Sequence, residues 1–345
     1  MPESLDAGTK LALLYADLGR HDDAIRELKR MTAAFPDDAT SPAMLGTMLA
    51  LKRKEPAEGE RYLRIARKRA PRDGNVAARL AEVVRLNGKT DEAILLYREA
   101  VRSTARRIPH RIELAKLLFE KFAAEVEADG KPYLREAITQ LQEALRTRKK
   151  QLGPRAPAGD DILVTCYARI AELHMQLGEF GPAIGHLQWA IRSSAAPSSF
   201  LYVNLARYAL AADDQAELTR ALAAIDKHWP DDPQMAYAVG MLYAEAGQRA
   251  EAVEHLQRAV KGKPDFGLAR YQLADLLVQE GKVNDASEQI FEALRIEPMN
   301  PQYRQLKDMI VAKINKRAGL PSLVPLTGDE DDDTEERDLL EDIMP

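Results

Sequence analysis

Between residues 234 and 298 the chain reads QMAYAVGMLYAEAGQRAEAVEHLQRAVKGKPDFGLARYQLADLLVQEGKVNDASEQIFEALRIEP, and this stretch contains one pattern twice. The first copy has small, large and proline residues in a fixed order, namely Gly240, Tyr243, Gly247, Ala252, Leu256, Ala259 and Pro264. The second copy, displaced by 34 residues, has Ala274, Leu277, Gly281, Ala286, Ile290, Ala293 and Pro298. A fixed period of this length indicates a repeat architecture.

Each copy also has an internal hydrophobic period. Apolar residues recur at three- and four-residue spacing on both sides of the central glycine, which is Gly247 in one copy and Gly281 in the other. This spacing predicts two amphipathic helices joined by a tight turn. Small residues at matching positions on the two helices allow their backbones to approach closely.

The same order of residues recurs along most of the chain. Regular copies contain Ala12, Tyr15, Gly19, Ala24, Leu28 and Pro36; Leu80, Ala81, Gly88, Ala93, Tyr97 and Ala100; Ile170, Ala171, Gly178, Ala183, Leu187 and Ala190; and Leu205, Ala206, Leu222, Ile225 and Pro230. Two degraded copies contain Gly46, Leu49, Tyr62, Ala66 and Pro71, and Leu114, Ala115, Leu118, Ala137, Leu141 and Ala144. Eight copies therefore cover residues 5–298.

These small, large and proline positions resemble the motif of the tetratricopeptide repeat (TPR) family. The resemblance implies an all-α fold, an α-solenoid in which antiparallel helix pairs stack into a right-handed superhelix. The motif consists of packing residues and contains no catalytic group, so the resemblance is specific for architecture and not for function.

Departures from the period predict how the chain is divided. The fourth copy has extra residues near 123–132, and a loop rich in proline and glycine follows at 151–159. We therefore expect a basic first lobe, residues 1–150, with repeats one to four, and a second lobe, residues 160–298, with repeats five to eight. Residues 299–318 are predicted to form an amphipathic capping helix, which a terminal repeat needs to cover its apolar face.

The C-terminal residues 319–345 have a different composition. From residue 328 onward there are ten acidic residues and one basic residue, which predicts a disordered acidic tail. Within it lies an acidic amphipathic segment whose apolar residues are Leu339, Leu340, Ile343 and Met344. Three roles remain open for this segment: a plug for the basic lobe of the same protein, a docking motif for another protein, or a solubilising tail.

No catalytic pattern is present in the sequence. The six histidines lack the spacing of metal ligands, and the single cysteine, Cys166, excludes an internal disulfide and a CxxC site. We therefore expect no enzyme activity, no cofactor and no metal. The chain begins without the features of a signal peptide and has no apolar run of about 18 residues, so we expect a cytoplasmic protein if the chain is complete.

The TPR resemblance also implies a binding site. In this family the first helix of each pair lines a concave groove, and the inward positions in the second lobe are Phe200, Val203, Asn204, Arg207, Tyr237, Met241, Tyr271, Gln272 and Asp275. The three aromatic residues would form a ladder of ring faces, with Asn204 and Arg207 as polar anchors for a peptide or a helix. The alternative is that the rings pack between neighbouring repeats.

The first lobe presents a secondary basic surface at its inward positions, formed by Lys10, Arg79, Arg85 and Lys116. A denser basic stretch, residues 52–72, falls on a second helix and is therefore expected to face outward. These surfaces lack the asparagines of the clamp that TPR proteins use for acidic chain ends.

The sequence thus predicts a non-catalytic protein–protein interaction scaffold or adaptor that binds a peptide segment or helix of a partner protein in its groove. One alternative is a helical-repeat protein that binds nucleic acid through the basic first lobe. The modest net charge of this lobe, about +7, and the lack of exposed aromatic residues interleaved with its basic ones argue against that alternative. Another alternative is a non-catalytic subunit of an enzyme complex.

Overall fold

The computed structural model describes residues 4–103, 108–124, 130–154 and 158–318. Within these ranges the regular secondary structure is entirely helical, which confirms the all-α class. The helices are α1 (Leu5–Asp17), α2 (His21–Ala34), α3 (Thr40–Leu51), α4 (Pro56–Arg69), α5 (Gly74–Leu86), α6 (Thr90–Ser103), α7 (Ile108–Ala124), α8 (Lys131–Leu152), α9 (Asp161–Gln176), α10 (Phe180–Ser193), α11 (Ser199–Ala211), α12 (Gln215–His228), α13 (Pro233–Glu245), α14 (Arg249–Gly262), α15 (Gly267–Gln279), α16 (Val283–Ile296) and α17 (Pro301–Ala318).

Helices α1 to α16 form eight consecutive pairs, as the period predicts. They belong to two compact units, Met1–Ala221 and Leu222–Pro345, whose boundary lies within α12. Successive helices pack together from α1 to α11 in the first unit and from α13 to α17 in the second, as in an α-solenoid. The predicted division at 151–159 lies inside the first unit, and the assignment of lobes remains a prediction.

The small residues of the repeat lie where paired helices approach most closely. On first helices Ala12, Ala81 and Ala171 are fully buried, and on second helices Ala24 and Ala93 are as well. Because these alanines are fully buried, a larger side chain at any of the five positions would have to displace its neighbours. The period of small residues therefore sets the distance between the two helices of a pair.

The second repeat pairs its helices through two glycines. A Cβ built on Gly46 would lie 2.6 Å from the carbonyl oxygen of Gly59, and one built on Gly59 would lie 2.6 Å from that of Gly46. At the large-residue position of the second helix, α4, the fully buried residue is Leu63, whereas Tyr62 is only half-buried. The assignment of Tyr62 to that position was wrong by one residue, because the turn from 52 to 55 is one residue longer than the turns of the first and third pairs.

A left-handed residue ends the first helix in most pairs. Gly19, Gly88, Gly178, Gly247 and Gly281 all have φ between 72° and 79°. At the equivalent position the second and sixth pairs have Lys54 (φ 60°) and Asp213 (φ 55°). These two side chains adopt a conformation that glycine tolerates better, so the turn geometry is imposed by the packing of the helix pair.

The fourth pair contains the predicted insertion, which lies partly outside the described residues. On either side of it α7 has 17 residues and α8 has 22, whereas the six preceding helices have 12 to 14. The extra sequence therefore lengthens both helices of this pair. Gly130 lies at the start of α8, with Pro132 in its first turn, as expected for a turn signal.

The predicted capping helix is α17. Tyr303, Leu306 and Ile310 are buried in the core cluster of the second unit, and charged residues occupy the rest of the helix. The predicted acidic tail, including Leu339, Leu340, Ile343 and Met344, lies outside the described residues.

A buried carboxylate links the second repeat to the third. Glu60, on α4, is only 6% exposed and accepts hydrogen bonds from Arg64 Nη2 at 2.6 Å, Asn87 Nδ2 at 2.6 Å and Lys89 Nζ at 2.8 Å. Burial alone would raise the pKa of Glu60, but these hydrogen bonds outweigh burial and lower the pKa to about 2. The carboxylate therefore stays ionised and holds the α5–α6 turn against α4.

We expect Gly46→Ala to destabilise the protein by about 1–3 kcal/mol, because the new methyl group meets a backbone oxygen that cannot rotate away. Gly185→Ala in α10 is the matched control. No atom lies within 4 Å of its built Cβ, so alanine should stabilise the helix by up to about 1 kcal/mol. Urea unfolding followed by circular dichroism measures both, and equal effects of the two substitutions would contradict the proposed close approach.

We expect Glu60→Gln to reduce the free energy of unfolding by about 1–3 kcal/mol at pH 7, because the amide leaves Lys89 and Arg64 without a charged partner. The folded pKa of about 2 lies below the ordinary value of 4.5. The stabilisation is therefore fully present above pH 4.5 and is lost as the pH falls through 2.

Urea unfolding of the wild type and the Gln variant, repeated at decreasing pH, should show a shrinking difference below pH 4.5. Glu292→Gln, which removes an exposed pair with Arg295 inside α16, serves as the control and should change stability by less than about 1 kcal/mol. A difference for Glu60→Gln that is independent of pH would show that its charge is not what stabilises the turn.

Candidate functional site

The predicted inward face of α11, in the first unit, carries an exposed aromatic ring beside two linked polar side chains. Phe200 is 67% exposed. One turn further on, Asn204 Nδ2 donates to the Phe200 carbonyl oxygen at 2.9 Å, and Arg207 Nη1 donates to Asn204 Oδ1 at 3.2 Å. Val203 is half-buried between them. The helix thus presents an apolar ring next to a guanidinium. Asn204 engages one N–H group of that guanidinium.

The predicted tyrosines of the second unit are engaged in packing. Tyr237 packs against Phe266, with ring centroids 5.1 Å apart, and Tyr271 stacks on Tyr303 at the same centroid distance with an interplanar angle of 24°. Both tyrosines also border the core cluster of this unit, and burial raises the pKa of Tyr237. Each tyrosine is therefore covered on one side by an aromatic neighbour and stays partly exposed.

The remaining predicted groove residues of the second unit are half-buried; they are Met241, Gln272 and Asp275. Asp275 Oδ2 accepts a hydrogen bond from Gln279 Nε2 at 2.9 Å on its own helix. Phe200 belongs to the first unit and the two tyrosines to the second. A continuous ladder of the three rings remains a prediction.

A groove in the first unit runs over the first helices α3, α5 and α7. It encloses about 510 Å³, and small side chains line part of it, namely Thr40, Ala43 and Ala78. Its polar lining includes Asn75, Arg79, Glu82, His110 and Glu113. Burial, together with the negative charges of Glu82 and Glu113, raises the pKa of Tyr97 at the same groove. The groove carries both signs of charge.

The four residues of the predicted secondary basic surface lie on three different helices. Lys10 on α1 pairs with Asp6 at 2.7 Å, and Lys116 on α7 lies 3.8 Å from Glu113. Arg79 lines the groove described above, whereas Arg85 lies near Tyr97. The two lysines therefore contribute less positive charge to a partner than their number suggests.

The basic stretch on α4 joins neighbouring repeats. Arg64 bridges Glu60 and Glu92, Arg67 pairs with Glu99, and Arg69 donates to the main-chain oxygen of Asp38 at 2.8 Å. These contacts fix much of the positive charge in ion pairs and hydrogen bonds. They leave Arg61 and Lys68 at the mouth of a cleft above Glu60.

A second exposed aromatic cluster was not among the predicted residues. Trp189, half exposed on α10, stacks on the buried ring of Tyr167 with centroids 6.1 Å apart and an interplanar angle of 17°. Lys149 Nζ lies 5.6 Å from the Trp189 centroid, and the guanidinium carbon of Arg192 lies 5.4 Å from it. The sequence could have pointed to this residue, since the chain has only two tryptophans and Trp189 falls on a second helix.

The described residues offer little that resembles a reaction centre. No group of three or more His, Cys, Asp or Glu side chains in those ranges could hold a metal ion. Cys166 is buried, and burial raises the pKa of its thiol to about 12. His174 lies 2.6 Å from Glu179 through Nδ1 and stacks on His186 at 5.2 Å, as a packed core histidine would.

A helix that crosses a lipid bilayer must be both long and apolar. Among the described helices, none combines the length and the apolar composition needed to cross a membrane.

Comparisons with solved structures show how far the fold extends among known proteins. The C-terminal part of a TPR repeat-containing protein from Cytophaga hutchinsonii is 11% identical, with 86% of this chain and 98% of that chain covered and a TM-score of 0.53. A tetratricopeptide repeat protein from Parabacteroides merdae is 13% identical, with coverage of 79% and 99% and a TM-score of 0.49. PilF of Pseudomonas aeruginosa is 15% identical, with coverage of 79% and 97% and a TM-score of 0.40. With 11% identity and a TM-score of 0.53, the Cytophaga hutchinsonii structure supports the fold alone.

Comparison with curated proteins gives no significant match. Two family models described as tetratricopeptide repeat match the sequence itself. One matches residues 9–54, 47–107 and 209–265, and the other matches residues 243–310. Together these matches cover more than half of the chain, and they coincide with helix pairs of the structure. The chain belongs to the tetratricopeptide repeat family.

Proposed function

We propose that the protein is a non-catalytic interaction scaffold that binds an extended peptide segment of a partner protein on the inward faces of its first helices. The TPR fold supports the general class, since it is commonly a protein-interaction scaffold. The observation that carries the proposal is the exposed ring of Phe200 beside Asn204 and Arg207.

Phe200 is suited to be the apolar anchor of such a site. A ring that remains 67% exposed on a folded helix gains from being covered by an apolar side chain of a partner. Rings and arginines with this kind of exposure are the residues that contribute most to protein interfaces. Arg207 adds directed N–H donors for the main-chain oxygens or a carboxylate of the peptide.

The groove over α3, α5 and α7 supplies a second contact surface in the same unit. The small side chains of Thr40, Ala43 and Ala78 leave room for a peptide backbone. Asn75 can both donate to and accept from that backbone, while Arg79 and Glu82 select for side-chain charge. A peptide with alternating apolar and polar residues fits these features better than a strongly acidic one does.

The tyrosines of the second unit form a separate candidate contact surface within that unit. Their covered faces hold them in place against Phe266 and Tyr303, so each loses little conformational freedom when a ligand contacts its accessible edge. Their contribution is expected to be smaller than that of Phe200, because less of each ring is available to a partner.

The proposal is tested by selecting peptides from a random display library on the full chain and measuring their affinity by calorimetry. We expect Phe200→Ala to weaken the selected peptides about tenfold or more, and Arg207→Ala to weaken them as well. Phe291→Ala, which removes an exposed ring from the second helix α16, is the matched control and should leave the affinity unchanged. Circular dichroism of each variant verifies that the fold is retained.

Two outcomes would overturn the proposal. Either the library yields no peptide that binds in solution, or the selected peptides respond to Phe291→Ala and not to Phe200→Ala. A single-stranded oligonucleotide included at low and high salt separates the nucleic-acid alternative, because its binding would fall steeply with salt. Binding to an apolar and hydrogen-bonding peptide site should change little over the same range.

A further inference from the structure

The first helix of the chain has an apolar face that no described residue covers. Leu11, Leu14 and Leu18 on α1 are 38%, 55% and 64% exposed, and Ala7 on the same face is exposed as well. Within the first unit, α3 and α5 have the equivalent face packed against the second helix of the preceding pair, α2 and α4 respectively. The α1 face is therefore built like an internal packing surface, and no helix among the described residues packs on it.

The spacing on this face is that of a helix-to-helix seam. Ala7, Leu11, Leu14 and Leu18 follow one another at intervals of four, three and four residues. This is the interval by which one helix presents a continuous apolar stripe to a second helix. The inward position Leu13 lies on another side of α1, so the stripe is distinct from the peptide site proposed above.

Charges flank the stripe on one side only. Lys10 and Asp17 are separated by seven residues and therefore lie on the same flank, two turns apart. Lys10 pairs with Asp6 on its own helix, but both side chains are more than 70% exposed, so the pair exchanges at little cost. The flank thus presents Lys10 beside Leu11 and Asp17 at the C-terminal end of the stripe, and Asp6 is the residue from which Lys10 separates when it meets a new partner.

We propose that the α1 stripe, defined by Ala7, Leu11, Leu14 and Leu18, pairs antiparallel with the same stripe of a second copy of the chain across a twofold axis. In this arrangement Leu11 of one copy meets Leu14 of the other, and Ala7 meets Leu18. The charged flanks then face each other in reversed order, so that Lys10 lies beside Asp17 of the second copy on both sides of the axis. Such a self-complementary contact is what a twofold interface requires.

The charge pattern selects the antiparallel orientation. A parallel pair would place the Lys10 and Asp17 flank against the flank of Ser4 and Tyr15, where Arg20 lies over the Tyr15 ring and is already bound to Asp23, so the twofold pair of Lys10 with Asp17 would not form. The stripe is small compared with a standard protein interface, so the dimer is weak and reversible. The lysine and aspartate then contribute mainly to orientation and specificity, and the leucines contribute most of the affinity.

The experiment is sedimentation equilibrium of the full-length chain from about 5 to about 500 μM, which spans weak reversible association. We expect the mean mass to rise toward twice the chain mass of 38.4 kDa with increasing concentration. Leu14→Glu should keep the chain monomeric throughout this range. Leu95→Glu, at a leucine of α6 that is exposed to a similar degree, is the matched control and should dimerise like the wild type.

Charge reversal tests the orientation. Lys10→Glu alone and Asp17→Lys alone should each weaken the dimer several-fold, and the double variant should restore it, because the reversed charges again face each other. A wild-type chain that stays monomeric at the highest concentration overturns the proposal. A dimer that survives Leu14→Glu, or a double variant that fails to restore the dimer, overturns it as well. Circular dichroism of all variants verifies that each one is folded.

Discussion

The closeness of the two helices in each pair is the constraint on which the rest of the structure depends. At the second repeat this closeness is extreme, since Gly46 and Gly59 allow two backbones to meet where a single methyl group would collide with a carbonyl oxygen. In other repeats the equivalent positions hold fully buried alanines, such as Ala12 and Ala24 in the first pair. Once this distance is fixed, the large residues fill the remaining space, and the turn must reverse within three or four residues. Lys54 and Asp213 adopt positive φ for this reason, although neither is a glycine.

Contacts between repeats have a different character. Within a pair the contact is made by small apolar residues, whereas between the second and third repeats it includes Glu60 with Asn87 and Lys89, and Arg67 with Glu99. These hydrogen bonds and ion pairs are directional, so they fix the register of one repeat against the next. They also pair charged side chains that a count from the sequence would treat as free surface charge. For this reason the basic stretch on α4 offers fewer free cations than its composition suggests, and the case for a nucleic-acid interface in this lobe weakens.

The sequence was sufficient to predict the eight helix pairs and the capping helix, because the 34-residue period places small residues and turn glycines independently of any long-range contact. The sequence was insufficient to predict residue positions where a repeat lacks its turn glycine. The turn from 52 to 55 contains no glycine, so the one-residue shift from Tyr62 to Leu63 was missed. Trp189 was missed because the family resemblance places binding residues on first helices, whereas Trp189 lies on the second helix α10. The ring ladder combined two different positions of the repeat: Phe200 is equivalent to Gln234 and Leu268, whereas Tyr237 and Tyr271 are equivalent to Val203.

This difference of position bears on where recognition resides. The tyrosine position is three residues further along the helix, nearly a full turn, and there the rings pack against Phe266 and Tyr303. The position of Phe200 is exposed in all three repeats, since Leu268 and Gln234 are exposed too. A residue at that position contributes nothing to the approach of the two helices, so the fold leaves its identity free. Packing therefore determines the motif residues, and a position that packing leaves undetermined, such as that of Phe200, is where this chain can differ in function from other members of its family. The α1 stripe is a different case, because it keeps the residues of a packing face at the end of the described repeats.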